Sequence, residues 1–193
     1  MSRRLVVSIV IATALVSTAS AAFAFNGKRG GFILGFGAGA SMTSYKYSYD
    51  SGFTQDASSD GTSDRESKFG IGTDFKIGGG FNDQFLLYYV NRVAWFKDGV
   101  TLAHTVGLLG ASYYLKTDAP AWYVVGAIGM STWDAPFESS STSLTGFGLS
   151  GGVGYEFTKH WSLEATLNWG KPSENDTEVN AISVMVNVFG LAY

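Results

Sequence analysis

Several groups of residues in this 193-residue sequence are of types that do chemistry. His160-Trp161-Ser162-Leu163-Glu164 holds a base, a hydroxyl nucleophile and an acid within one short run, the residue types of a Ser/His/acid set. Six charged residues, Lys68, Asp74, Lys76, Arg92, Glu156 and Glu164, stand among apolar and small neighbours, three of each sign. Charges so placed either line a selective path or close on one another as ion pairs. Asp50, Asp56, Asp60, Asp64 and Glu66 crowd one polar segment and offer the oxygen ligands a divalent ion takes. Their order is not that of an EF-hand loop, and a solvated loop is the expectation. His104 stands alone in an apolar stretch, and Tyr45, Tyr47 and Tyr49 alternate along another. Cys is absent, which excludes a thiolate metal site, a Cys nucleophile and a disulfide framework.

The elements that must hold these residues are strands. Phe147, Leu149, Gly151, Val153, Tyr155 and Phe157 interleave with Gly146, Gly148, Ser150, Gly152, Gly154 and Glu156, a period of two. The first such ribbon sets Phe32, Leu34, Phe36, Ala38, Ala40 and Met42 against Ile33, Gly35, Gly37, Gly39, Ser41 and Thr43. In the second, Phe69, Ile71, Thr73, Phe75 and Ile77 alternate with Lys68, Gly70, Gly72, Asp74 and Lys76. Trp161, Leu163, Ala165, Leu167 and Trp169 oppose Ser162, Glu164, Thr166 and Asn168, and the tryptophans at both ends fit two aromatic girdles of a membrane wall. In the segment 85–96, an inward Arg92 turns Leu87, Tyr89, Val93 and Trp95 outward, and Asn91 with them. Segments 101–115 and 122–133 are apolar in both registers, and a bulge in either is expected to shift them. The last ribbon puts Tyr193, Leu191 and Phe189 on one face and Val188, Val186 and Val184 on the other.

The count is eight, even as single-chain bacterial barrels require. Segments 81–84, 116–121 and 158–160 make short turns, whereas 45–67, 134–145 and 170–180 read as longer polar loops. Only 97–100 is short on the long-loop side. Short turns belong to the periplasm, so both termini are expected there. The fold predicted is all-β: an eight-stranded, antiparallel, up-and-down transmembrane β-barrel. A soluble lipocalin-like barrel would carry Lys and Glu on its outer face. Here Gly, Ser and Thr oppose the large apolar residues, and only 15% of the chain is charged, which favours the membrane wall.

The N-terminus agrees. Arg3 and Arg4 precede an apolar run from Leu5 to about Val16, then small residues lead to Ala22-Phe23-Ala24, the pattern of a secretory signal peptide. The expected division is a signal peptide over residues 1–24, cleaved after Ala24 or, alternatively, after Ala21, and a barrel domain over 25–193. Without Arg3 and Arg4 the 13 basic residues fall to 11 against 16 acidic ones, a net of −5. With no basic block, nucleic acid is not an expected partner.

The eight ribbons, the segment Gly148-x-Ser150-Gly-Gly-Val-Gly-Tyr155-Glu-Phe157 followed by a turn and Trp161-Ser-Leu-Glu164, and the terminal Tyr193 resemble the small bacterial outer-membrane barrels of the OmpA-transmembrane, OmpX and OmpW kind. Tyr193 and Phe189 fit the terminal pattern of those proteins, while Leu191 stands where another aromatic is common. The resemblance implies a monomer in the outer membrane of a Gram-negative bacterium, among outer-membrane lipid and lipopolysaccharide, assembled by the barrel-assembly machinery through its C-terminal strand. It implies a structural or surface-interaction role with a largely closed lumen. The alternative it leaves is a narrow, porin-like channel for small or apolar solutes, as OmpW-like proteins suggest. An eight-stranded barrel is just wide enough for side chains to fill it, so the six charges are expected to form a lumen network rather than a path. A lipid-modifying enzyme is the remote alternative. His160-x-Ser162 resembles the core of the lipid A deacylases, but a turn at the periplasmic end is the wrong leaflet for that substrate. No catalytic residue, metal or cofactor is therefore expected.

Overall fold

The computed structural model describes residues 27–49, 61–138 and 143–193. The predicted signal peptide and its cleavage point, and Asp50, Asp56 and Asp60, lie outside the described residues.

Among the described residues nine strands follow in chain order: β1 (Gly31–Tyr49), β2 (Gly61–Thr62), β3 (Glu66–Gly80), β4 (Phe85–Asp98), β5 (Val100–Tyr114), β6 (Ala121–Asp134), β7 (Leu144–Thr158), β8 (Trp161–Glu174) and β9 (Thr177–Ala192). The eight long ones pair antiparallel with their sequence neighbours, and β1 pairs β9 from Leu34↔Ala192 to Tyr49↔Thr177, which closes the barrel. Closure leaves no long edge unpaired, the condition a sheet must meet in lipid. Two-residue β2 takes up pairing with β1 at Ser48↔Thr62, beyond the point where β3 leaves off at Tyr45↔Glu66.

Both described termini and the turns 81–84, 115–120 and 159–160 share one end of the barrel, here the terminal end. The other, the loop end, holds residues 135–138 and 143 and two tight hairpins. Asp98 pairs with Val100 around Gly99, whose φ of 71° favours a residue without Cβ. Glu174 pairs with Thr177 around Asn175-Asp176, where Asn175 adopts a φ of 51°. The expected long loop over 170–180 is thus a continuation of β8 and β9. β1 likewise runs on to Tyr49. Polar side chains do not end a strand pair: the backbone ladder continues into water where the apolar wall stops.

The outward faces of β1, β3 and β8 are apolar as their alternation requires, with Trp161 and Leu163 about half exposed. Segments 101–115 and 122–133 run without a register break. Among the described residues the register shifts between Glu156 and Thr158, opposite Trp161. These segments are apolar in both registers because the interior is apolar too. Ile33, Leu86, Tyr88, Leu108, Tyr114, Tyr123 and Phe189 pack inside the terminal half, and Tyr45, Phe96, Leu102 and Trp133 inside the loop end. The inward glycines make room for this packing. A Cβ on Gly154 would enter the Tyr123 ring, and one on Gly37 the Phe189 ring.

Candidate functional site in the barrel interior

Between the two apolar layers lies a buried polar section. Alternation along β8 aims Ser162, Glu164, Thr166 and Asn168 inward, and all four are buried. Glu164 takes three donors: Arg92 Nη2 at 2.7 Å on Oε1, Lys76 Nζ at 2.5 Å and the Tyr123 hydroxyl at 2.9 Å on Oε2. Asp74 and Arg92 are direct cross-strand partners, and Arg92 Nε stands 3.2 Å from Asp74 Oδ1. Asn187 Nδ2 donates to Asp74 Oδ2 at 2.9 Å. Arg92 Nη1 donates to Ser150 Oγ at 2.9 Å, and Ser150 donates on to Asn168 Oδ1 at 2.7 Å. Lys76 Nζ also lies 4.3 Å from the centre of the Phe189 ring. Two cations and two carboxylates close on one another with net charge zero. Burying four charges is costly, and the multiple charge-assisted hydrogen bonds offset that cost.

The other two charges expected in this network stand elsewhere. Glu156 lies at the terminal end and pairs with Arg29, from the segment that leads into β1. Arg29 Nη1 also donates to the carbonyls of Asp83 at 2.9 Å and Thr117 at 2.7 Å, and its guanidinium lies 4.0 Å from the Tyr114 ring centre. The Tyr193 hydroxyl donates to Glu156 Oε1 at 2.7 Å. Arg29 therefore crosses the terminal mouth and ties together the turns before β4 and β6. A recess of about 310 Å³, lined by Arg29, Asp118, Lys159 and Tyr193 among others, lies at that end. Arg29 precedes the first ribbon, where no alternation marks it as inward. The signal was there in Glu156, an inward acid without an obvious cation on its neighbouring strands.

Lys68 stands at the loop end, 2.8 Å from Asp98 and 2.9 Å from Glu66. The Tyr45 hydroxyl donates to the same Asp98. Beneath this rim Tyr45, Phe96 and Trp133 pack with ring centres 4.8–5.7 Å apart, and Trp133 Nε1 donates to the Tyr47 hydroxyl at 3.0 Å. His104 lies below Trp133, hydrogen-bonded to Ser183 at 2.7 Å and to Ser131 at 3.1 Å. Both ring nitrogens are thus engaged inside the wall.

The nucleophile–base–acid set does not assemble. His160, at a φ of 72° in the turn before β8, donates from Nδ1 to the Leu191 carbonyl at 2.9 Å. Ser162 is hydrogen-bonded to the Tyr123 hydroxyl at 3.0 Å, and Glu164 is held by Arg92, Lys76 and Tyr123. Among the described residues no three His, Asp or Glu side chains converge as metal ligands.

The sequence profile of the outer membrane protein β-barrel domain matches residues 9–188. The fold is similar to that of OprG, an outer membrane protein of Pseudomonas aeruginosa, with a TM-score of 0.51 and 14% identity over 86% of this chain and 98% of that one. Ail, the attachment invasion locus protein of Yersinia pestis, matches at a TM-score of 0.49 and 12% identity, covering 81% of this chain and 97% of Ail. Neisserial surface protein A matches at 0.48 and 17%, covering 83% and 96%. No curated protein matches the chain in sequence.

Proposed function

The chain belongs to the outer membrane protein β-barrel family, and from that premise we propose that it is a structural, surface-interacting barrel with a closed lumen and no catalytic role. The protein resides in the outer membrane. The observation that carries the reading is the stacking inside the wall. An aromatic layer, the Asp74–Arg92–Glu164–Lys76 cluster, an apolar layer and the Arg29–Glu156 pair succeed one another along the axis. Each polar layer is internally paired, so none offers a passing ion a free charge. The engagement of His160, Ser162 and Glu164 with other partners supports the non-catalytic part.

The rest of the reading follows from the family's way of life. Residues 1–24 are removed on export, the terminal end faces the periplasm, and the β9 terminus is read by the barrel-assembly machinery. The barrel works as a monomer among phospholipid and lipopolysaccharide. Efflux from liposomes tests the lumen. Vesicles holding the protein should retain a small neutral sugar as well as empty vesicles do. Steady loss of the sugar would move the function to a narrow passage for small solutes.

A further inference from the structure

The cations on the outside of the barrel are unevenly distributed. Lys171 on β8, Lys46 on β1, Arg65 just before β3 and Lys97 on β4 all face outward near the loop end. With β9 between β8 and β1, they span five adjacent strands of the closed sheet. On β5, β6 and β7 the outward positions at that end are Thr101, Ala103, Thr105, Thr132, Asp134 and Thr145, and none of the described residues there is a cation. Cations that served only to keep a rim wet would be spread around the circumference.

Their height is equally regular. Lys171 stands two residues beyond Trp169, and Lys97 two beyond Trp95. Lys46 lies four residues beyond Met42, and Arg65 four before Phe69, which is 82% exposed. At about 3.3 Å per residue these are one or two short steps past the apolar wall, where phosphates of a lipid headgroup lie. Arg65 reaches across β1, with Nη1 3.4 Å from the Ser44 carbonyl and 3.5 Å from Ser44 Oγ, and Nη2 3.5 Å from Asn180 Oδ1. These are long contacts between an exposed guanidinium and neutral groups. Lys171 shares its charge with Glu178 at 2.8 Å. Lys46, Arg65 and Lys97 have no carboxylate partner among the described residues. The positive face stands on a chain whose net charge is −3.

We propose that Lys46, Arg65, Lys97 and Lys171 dock the phosphates of an anionic glycolipid of the outer leaflet. Its acyl chains lie on the apolar wall below, at Met42, Phe69 and Leu167. The proposal rests on the lipopolysaccharide partner given above and adds the site that holds it. A single acyl chain would need no such row. Several chains carrying more than one phosphate fit a row of cations above a broad apolar face.

Native mass spectrometry of the mature barrel titrated with diphosphoryl lipid A, and with the same lipid stripped of both phosphates, tests it. The wild type should retain the diphosphoryl form more tightly. The quadruple variant Lys46→Gln, Arg65→Gln, Lys97→Gln, Lys171→Gln should lose about tenfold or more in affinity for it. Lys116→Gln with Lys159→Gln, cations of the terminal end, should change nothing. Equal retention of the two lipids by the wild type would overturn the proposal, and so would an unaltered quadruple variant or equal losses in both variants. Displacement by inorganic phosphate would reassign the row to a free anion. If the quadruple variant does not fold, Lys46→Gln with Lys97→Gln replaces it, since neither side chain makes an ion pair among the described residues. It should lose affinity for the diphosphoryl lipid where the terminal-end variant does not, and no loss would overturn the proposal. Retention does not report the lumen: phosphate-dependent binding by a leaky barrel would sink the closed-lumen reading and leave this one standing.

Discussion

Glu164 and Arg92 are each other's reason for being buried. Removing Arg92 leaves Asp74 with only Asn187 as a side-chain donor, and it takes one of three donors from Glu164. Arg92→Ala should therefore cost about 3–5 kcal/mol, the range for breaking a buried pair from one side. It would read out as a lower urea midpoint for unfolding from lipid vesicles. The Arg29–Glu156 pair makes a different kind of prediction. Arg29→Met strands a carboxylate, and Glu156→Gln leaves a buried guanidinium with carbonyls alone. The double variant removes both uncompensated charges, so its destabilisation should be smaller than the sum of the singles by about 1–3 kcal/mol. A cycle that closes to zero would show that Arg29 and Glu156 do not act as a pair.

At the scale of the strand, each face has a separate requirement. Leu163→Arg or Leu167→Arg places a charge on the lipid face and should cost about 2–4 kcal/mol near the midplane, whereas Thr166→Val between them should be mild. Folding yield into vesicles separates the two. On the inner face, Gly154→Val should push Tyr123 out of its place, costing about 1–3 kcal/mol as an overpacked core does. The alternation that makes these statements possible was legible in β1, β3 and β8, because one face of each is small or polar. It was not legible in β5 and β6, where the inward Val106, Leu108, Tyr123 and Val125 are as apolar as the outward Leu109, Val124 and Ile128. Period two vanishes when both sides of a wall are dry. The partners of the charges were also out of reach, since cross-barrel pairing depends on the stagger of all eight strands. Hence Glu156 meets Arg29, while Lys68 meets Asp98 and Glu66 at the rim.

For the whole molecule, the closed-lumen proposal sets the layers in series. The aromatic lid at Tyr45, Phe96 and Trp133, the charge cluster and the Arg29 crossing each span the same narrow interior. A path would have to open all three. A single substitution at one layer should therefore leave the barrel sealed by the others, which separates this design from a pore with one gate. The most direct measurement is single-channel current across a planar bilayer holding the wild-type protein and, separately, Arg92→Ala refolded to the same yield. The account predicts no steady conductance from the wild type, and brief openings at most from Arg92→Ala. Long-lived, uniform conductance steps from the wild type, scaling with salt, would contradict it.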